Sequence, residues 1–315
     1  MAIAFVFPGQ GSQAVGMGKQ LAEQFAAARA VFEEVDAALS QKLSKLMWEG
    51  PEDQLTLTEN AQPALMAVSL AVMRVLEAEH GITVANTARF VAGHSLGEYS
   101  ALCAAGTFSI ADTARLLKIR GRAMQAATPV GMGAMAAILG LDFATVAAAA
   151  AEGAQGEVCQ AANDNSDGQV VISGNKAAVE RASEIAKGKG AKRAVMLPVS
   201  APFHCALMKP AADAMAEALG KVEMKPPAVP LVANVKAATL TDPAAIRASL
   251  VEQVTGTVRW RECVAFMAGE GVTSFVEIGA GKVLTGLAKK NAPGATALAI
   301  GTPDDVAAAA ASLKG

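Results

Sequence analysis

Residues 91–100 read VAGHSLGEYS, with a serine between two glycines and a histidine directly before it. A GxSxG spacing suits a nucleophile elbow, in which a sharp strand-to-helix turn lifts the hydroxyl of Ser95 clear of a sheet. The helix that follows aims free backbone N–H groups, that of Leu96 among them, at whatever Ser95 bonds, which stabilises an oxyanion. A serine with no base would merely cap that helix. The sequence offers three histidines: His80, His94 and His204. His80 ends EAEHG and reads as a solvated residue at a helix C-terminus, interacting with the dipole. His94 adjoins Ser95 in an extended segment, so its ring is expected on the opposite side of the strand. His204, in SAPFHCALM, is left as the candidate base. No carboxylate near it offers a third member, and a backbone carbonyl could orient the ring instead. An unperturbed imidazole titrates at about 6.5, which sets the expected acid limb of the reaction.

Arg120 is the most informative charge. At 100° per residue, with Thr113 at zero, Leu117 falls at about +40°, Arg120 at about −20° and Met124 at about +20°. The guanidinium therefore lies on an apolar stripe, while Arg115, Lys118 and Arg122 fall on the opposite face. A cation turned inward needs an anion, either a protein carboxylate such as Glu98 or a carboxylate on a ligand. The segment FPGQGSQA has two uses. Gly9, Gly11 and Ala14 satisfy a dinucleotide fingerprint, but no second strand ending in an acid follows at the required distance. The other use is to bring a backbone N–H, that of Gln10, against a reacting carbonyl.

The elements that must position these groups follow from hydrophobic periodicity. IAFVF (3–7) and RFVAG (89–93) read as buried strands. Helices are expected from Gly18 to Leu39, from Pro63 to a stop at Gly81, from 95 to 105, and from Ser109 to about Ala127. Between there and Pro198 the pattern becomes strand, helix, strand, strand, helix, strand. That order is a ferredoxin-like βαββαβ unit inserted into a larger α/β domain. PLVAN (230–234), a helix from Pro243, TSFVEIG (273–279), ATALAI (295–300) and a last Ala-rich helix complete the chain. The expected organisation is a core of residues 1–127 and 198–315 with a subdomain at 128–197.

The composition narrows the possible functions. A formal net charge of −2 over 315 residues advertises neither nucleic acid nor a membrane surface. Four cysteines without CxxC spacing favour reduced thiols and argue against a metal site. The apolar run at the N-terminus stops at Pro8, too short for a signal peptide or a span, so a cytoplasmic protein is expected.

With FPGQGSQ, GHSLGEYSAL, the KIRG arginine and APFH in this order, and with NDNSDGQVVISG and FVEIGAGKVL, the chain resembles the malonyl-CoA:acyl carrier protein transacylase family. The resemblance implies an α/β-hydrolase-like core with a parallel sheet plus the ferredoxin-like subdomain. It implies Ser95 as acyl acceptor, His204 as base, the N–H groups of Gln10 and Leu96 as oxyanion hole, and Arg120 as partner of the malonate carboxylate. The backbone carbonyl of Gln253 would orient His204. Phe203 matches the malonyl-selective pairing before the histidine, although Pro202 departs from the usual neighbour. Implied substrates are malonyl-CoA and a phosphopantetheinylated acyl carrier protein, with no cofactor and no metal. The carrier is acidic in such systems, which makes KGKGAKR (187–193), Lys289 and Lys290 candidates for a basic rim. The length favours a discrete enzyme acting as a monomer in fatty-acid synthesis, with a polyketide route or a serine hydrolase as alternatives. A non-catalytic carrier-binding scaffold would have no need for Ser95, His204 and Arg120 together.

Overall fold

Residues 2–199 and 201–313 are described by a computed structural model of the chain. The chain enters on β1 (Ile3–Phe7) and β2 (Ala88–Gly93). It leaves for β3 (Gly133–Leu139), β4 (Cys159–Ser166), β5 (Gln169–Asn175) and β6 (Arg193–Met196). It returns for β7 (Leu231–Ala233), β8 (Ala238–Leu240), β9 (Ser274–Ile278) and β10 (Thr296–Ile300).

The central sheet has the order β10-β9-β1-β2-β7-β8. Every pairing from β10 to β7 is parallel, and β8 closes one edge as an antiparallel hairpin. All five residues of β1 are buried because helices cover both faces. Phe5 and Phe7 face a core dominated by α1 (Thr58–His80), α2 (Gly97–Ala104) and α3 (Ile110–Ala126). Ala4 and Val6 face Trp260, Val264, Met267 and Leu287 on the other side. α1 is long and apolar enough to cross a membrane, but 83% of its apolar window is buried inside the protein, so it serves as the core helix.

The second sheet has the order β4-β5-β3-β6 and is antiparallel throughout, with α4 (Phe143–Ala154) and α5 (Lys176–Gly188) packed on one face. This is the strand order of a ferredoxin-like βαββαβ unit. Its β4 edge is joined to the core, since Asp164 N–H donates to Val258 O and Val258 N–H to Ala162 O, both at 2.9 Å. Arg261 adds a fork of bonds to the Asp164 carboxylate at 3.0 and 3.1 Å.

The structure adds helices Leu43–Glu49, Glu52–Thr56, Lys209–Gly220, Trp260–Gly269 and Val283–Asn291 and the short strand β8 to the expected elements, and it departs from them elsewhere too. The helix expected from Gly18 to Leu39 is two, broken at Phe25, whose backbone is extended. α1 starts at Thr58, five residues before Pro63, because side chains in that extra turn are anchored by α3: Glu59 pairs with Lys118 and Arg122, and Gln62 accepts from Arg120. Lys118 is correspondingly buried rather than solvated, bonded to Gln41 and Asn60 at 2.9 and 2.8 Å.

Candidate active site

Ser95 sits between β2 and α2 with φ at +55°, a left-handed conformation that costs a non-glycine residue about 1–3 kcal/mol. The flanking glycines make the turn possible. A Cβ on Gly93 would lie 1.9 Å from the carbonyl carbon of Gly97, and one on Gly97 would lie 2.2 Å from the oxygen of Phe7. The strained conformation is held from both sides. Asn234 Oδ1 accepts the Ser95 N–H at 2.8 Å, and Gln253 Nε2 donates to the Ser95 carbonyl at 2.9 Å. Asn234, just beyond the C-terminal end of β7, also donates from Nδ2 to Gly93 O at 2.7 Å.

The reactive side chains converge on the Ser95 hydroxyl. His204 Nε2 lies 2.8 Å from Oγ, and His204 Nδ1 lies 2.8 Å from the backbone oxygen of Gln253 on α6 (Pro243–Thr255). A carbonyl only accepts, so Nδ1 carries the proton, Nε2 is bare, and the Ser95 hydroxyl donates to it. Burial, followed by the nearby charge of Arg120, lowers the His204 pKa to about 3. His204 itself has φ at +58°.

Arg120 is 1% exposed. Its Nη1 donates to Gln62 Oε1 at 2.9 Å, and its Nη2 donates to Gln253 Oε1 at 2.8 Å and to Ser95 Oγ at 3.1 Å. The guanidinium lies 5.7 Å from the ring centre of Tyr99. Of the two partners open at the sequence level, Glu98 does not bridge to it. Among the described residues no carboxylate oxygen lies within 4.0 Å of Arg120. Glu98, fully buried, instead accepts from Asn234 N–H at 2.7 Å and from Gln253 Nε2. Burial pushes its carboxyl up to about 8, against the opposing pull of those two donors and of Arg120.

These groups open onto a cavity of about 510 Å³ between the two sheets, lined by Gln10, Ser95, Leu96, Arg120, Phe203 and His204 from the core and by Met135, Asn163, Asn165 and Val171 from the small sheet. Gln10 and Leu96 line the cavity, and among the described residues neither backbone N–H donates to a backbone acceptor. Phe203 is nearly buried in the wall, and Pro202 packs against Gly133. His94 borders this cavity, and its ring follows the alternation of β2, in which Phe90 and Ala92 also face the Trp260 side of the sheet. The alternation of β2 ends where Ser95 turns left-handed. The His94 ring bonds Asn165 at 2.8 Å and packs against Trp260, not against Ser95. Among the described residues no cluster of three or more His, Cys, Asp or Glu could hold a metal. Asn234, Gln62 and the side chain of Gln253 escaped sequence reasoning, and Glu98 entered it only as a possible partner of Arg120. Asn234 alone left a trace, as a polar residue at the carboxyl end of a buried parallel strand, where sheets of this kind place their sites.

A hydroxyl bonded to a bare imidazole nitrogen is equipped for acyl transfer through an ester. The acyl transferase domain family matches residues 4–302. The malonyl CoA-acyl carrier protein transacylase of Salmonella typhimurium is 49% identical over 97% of this chain and 98% of its own. The crystal structure of an acyl-carrier-protein-S-malonyltransferase from Bartonella henselae superimposes with a TM-score of 0.97 at 60% identity, each chain covered in full. A malonyl-transacylase solved in complex with its type II polyketide acyl-carrier protein is 44% identical, with a TM-score of 0.95 over 99% of this chain and 100% of that one. The chain belongs to the acyl transferase family, among the malonyl CoA-acyl carrier protein transacylases.

Proposed function

We propose that the protein moves a malonyl group from coenzyme A to the phosphopantetheine thiol of an acyl carrier protein, through an ester on Ser95. Ser95 Oγ attacks the thioester carbonyl as its proton passes to His204 Nε2. The oxyanion forms against the N–H groups of Gln10 and Leu96, and the C–S bond breaks as His204 returns the proton to the departing thiolate. The carrier thiol then gives its proton to His204, attacks the ester, and restores the Ser95 hydroxyl. Arg120 receives the malonate carboxylate, and no cofactor or metal takes part. Phe203 limits the space beside the acyl group, which favours an unbranched extender.

One observation carries this reading: the Ser95 hydroxyl lies within hydrogen-bond reach of a bare His204 nitrogen and of a buried guanidinium that has no carboxylate partner. The acyltransferase core comprises residues 1–127 and 198–315, and residues 128–197 form the subdomain that walls the cavity. Every proposed site residue belongs to one chain, so a monomer suffices. The acidic carrier is expected to meet the basic rim around 187–193, Lys289 and Lys290, and the proposed setting is fatty-acid synthesis in the cytoplasm, with a polyketide route as the alternative. Incubation with radiolabelled malonyl-CoA tests the reaction. A labelled protein that surrenders its label to carrier and only slowly to water supports transfer; rapid loss to water makes it a hydrolase, and no label makes it a scaffold.

A further inference from the structure

All three reactive groups are held by one residue. The backbone oxygen of Gln253 takes the His204 Nδ1 proton, its Nε2 holds the Ser95 carbonyl, and its Oε1 accepts from Arg120 Nη2. Its Nε2 also donates to Glu98, so the amide stands between the site's buried carboxyl and its buried cation. The orientation of the amide is fixed by chemistry, because a guanidinium can only donate and must face the oxygen. Gln62 supplies the other contact to Arg120, again through an amide oxygen.

Direct contact between Glu98 and Arg120 would be the ordinary outcome for two buried opposite charges. A carboxylate there would occupy the donors with which Arg120 can grip an anion. Two amides give the guanidinium hydrogen bonds without neutralising it, and the elevated pKa of Glu98 accords with a carboxyl kept from direct contact with that charge. Resting on the malonyl-transfer reading above, we propose that the side chain of Gln253 is the positioning residue that sets acyl selectivity: by interposing a neutral amide between Glu98 and Arg120, it aims the guanidinium at Ser95 and reserves its charge for a carboxylate on the acyl group. The backbone carbonyl of Gln253 serves His204; the side chain serves substrate choice.

An exchange of the two side chains tests this. In the double variant Glu98→Gln and Gln253→Glu, the amide introduced at position 98 can still accept from Asn234 N–H and donate to position 253, while the Ser95 carbonyl loses its donor, a cost shared by both acyl groups that cancels in their ratio. Arg120 then meets a carboxylate oxygen in place of an amide oxygen. The readout is the ratio of kcat/KM for malonyl-CoA to that for acetyl-CoA, with CD spectra and melting temperatures alongside. We expect the ratio to fall by about tenfold or more, the scale of one charge-assisted hydrogen bond, with the malonyl loss concentrated in KM. Should the exchange fail to fold, Gln253→Glu alone carries the same test, since two facing carboxyls share one proton and Arg120 still meets a carboxylate. A folded variant with the parental ratio, or a parallel loss for both acyl groups, overturns the inference while leaving the malonyl reading intact. A parent that transfers acetyl as well as malonyl overturns that reading itself.

Discussion

Acid should slow this enzyme far later than an ordinary histidine would allow. At pH 5 an imidazole with the usual pKa of about 6.5 is only ~3% neutral, whereas one lowered to about 3 is ~99% neutral. The two cases differ roughly thirtyfold in the fraction of enzyme able to accept the Ser95 proton. Single-turnover acylation, read as coenzyme A release or as the malonyl adduct by intact mass, should therefore change less than about twofold between pH 7 and pH 5. This replaces the limb at about 6.5 expected from an unperturbed ring. Melting curves cannot stand in for the rate. His204, with its folded pKa depressed, contributes stability that is present above its ordinary pKa and is lost as pH falls toward 3. Glu98, with its folded pKa raised, contributes stability that is present below its ordinary value and is lost as pH rises through about 8. Between about pH 5 and 6 the two slopes, each about 1 kcal/mol or slightly more per pH unit, oppose one another, and above the ordinary imidazole value only the Glu98 slope remains. Removing the Arg120 charge should raise the His204 pKa and move the acid limb upward. A tenfold fall in acylation by pH 5.5 in the parent would refute a buried neutral His204 as the base.

Three further outcomes are expected. Arg120→Ala should cut malonyl kcat/KM by roughly ten- to a hundredfold, the worth of a charge-assisted bond, and acetyl by much less; equal losses would mean that Arg120 only props the framework. Asn234→Ala leaves the Ser95 N–H and the Gly93 carbonyl unpaired, at about 1–3 kcal/mol each. Thermal unfolding should drop by roughly 3–9 °C and acylation should slow as the elbow relaxes, so an unchanged melting temperature would count against that clamp. Gly97→Ala should yield no soluble protein, because its methyl meets the Phe7 carbonyl, while Gly286→Ala, with open space at its Cβ, should fold normally.

What the sequence discloses about this site is what local chemistry dictates. Ser95 is legible because its glycines impose the turn, His204 because few histidines compete with it, and Arg120 because one helical wheel places it among apolar neighbours. Asn234, Gln62 and the amide of Gln253 carry no such mark, and Glu98 is marked only as a candidate partner of Arg120, to which it does not bridge. Each is an ordinary polar residue whose partners lie tens to more than a hundred residues away. The wheel also misplaces Lys118, since it assumes one buried face where α3 is packed on more than one side. His94 is placed correctly, because strand alternation holds up to Ser95, where the backbone turns left-handed, and carries its ring to the Trp260 face with Phe90 and Ala92. Periodicity marks every strand of the two sheets except the short edge strand β8, but the close union of the β4 edge with Val258 and Arg261 depends on a segment that no periodic pattern singles out.

The strand order has a consequence for biosynthesis. β1 lies inside the sheet, and its pairing with β9 sets Ile3 opposite Ser274. One edge of the first strand made therefore waits for a partner synthesised about 270 residues later, roughly 14–54 s at ordinary translation rates. During that interval the apolar run IAFVF has an open hydrogen-bonding edge, the kind of template on which chains aggregate. Gln253 too emerges long after Ser95, so the serine leaves the ribosome without the residue that orients its base. The newborn chain carries a nucleophile that is not yet armed, and the enzyme gains its reactivity only when the last third of the polypeptide arrives.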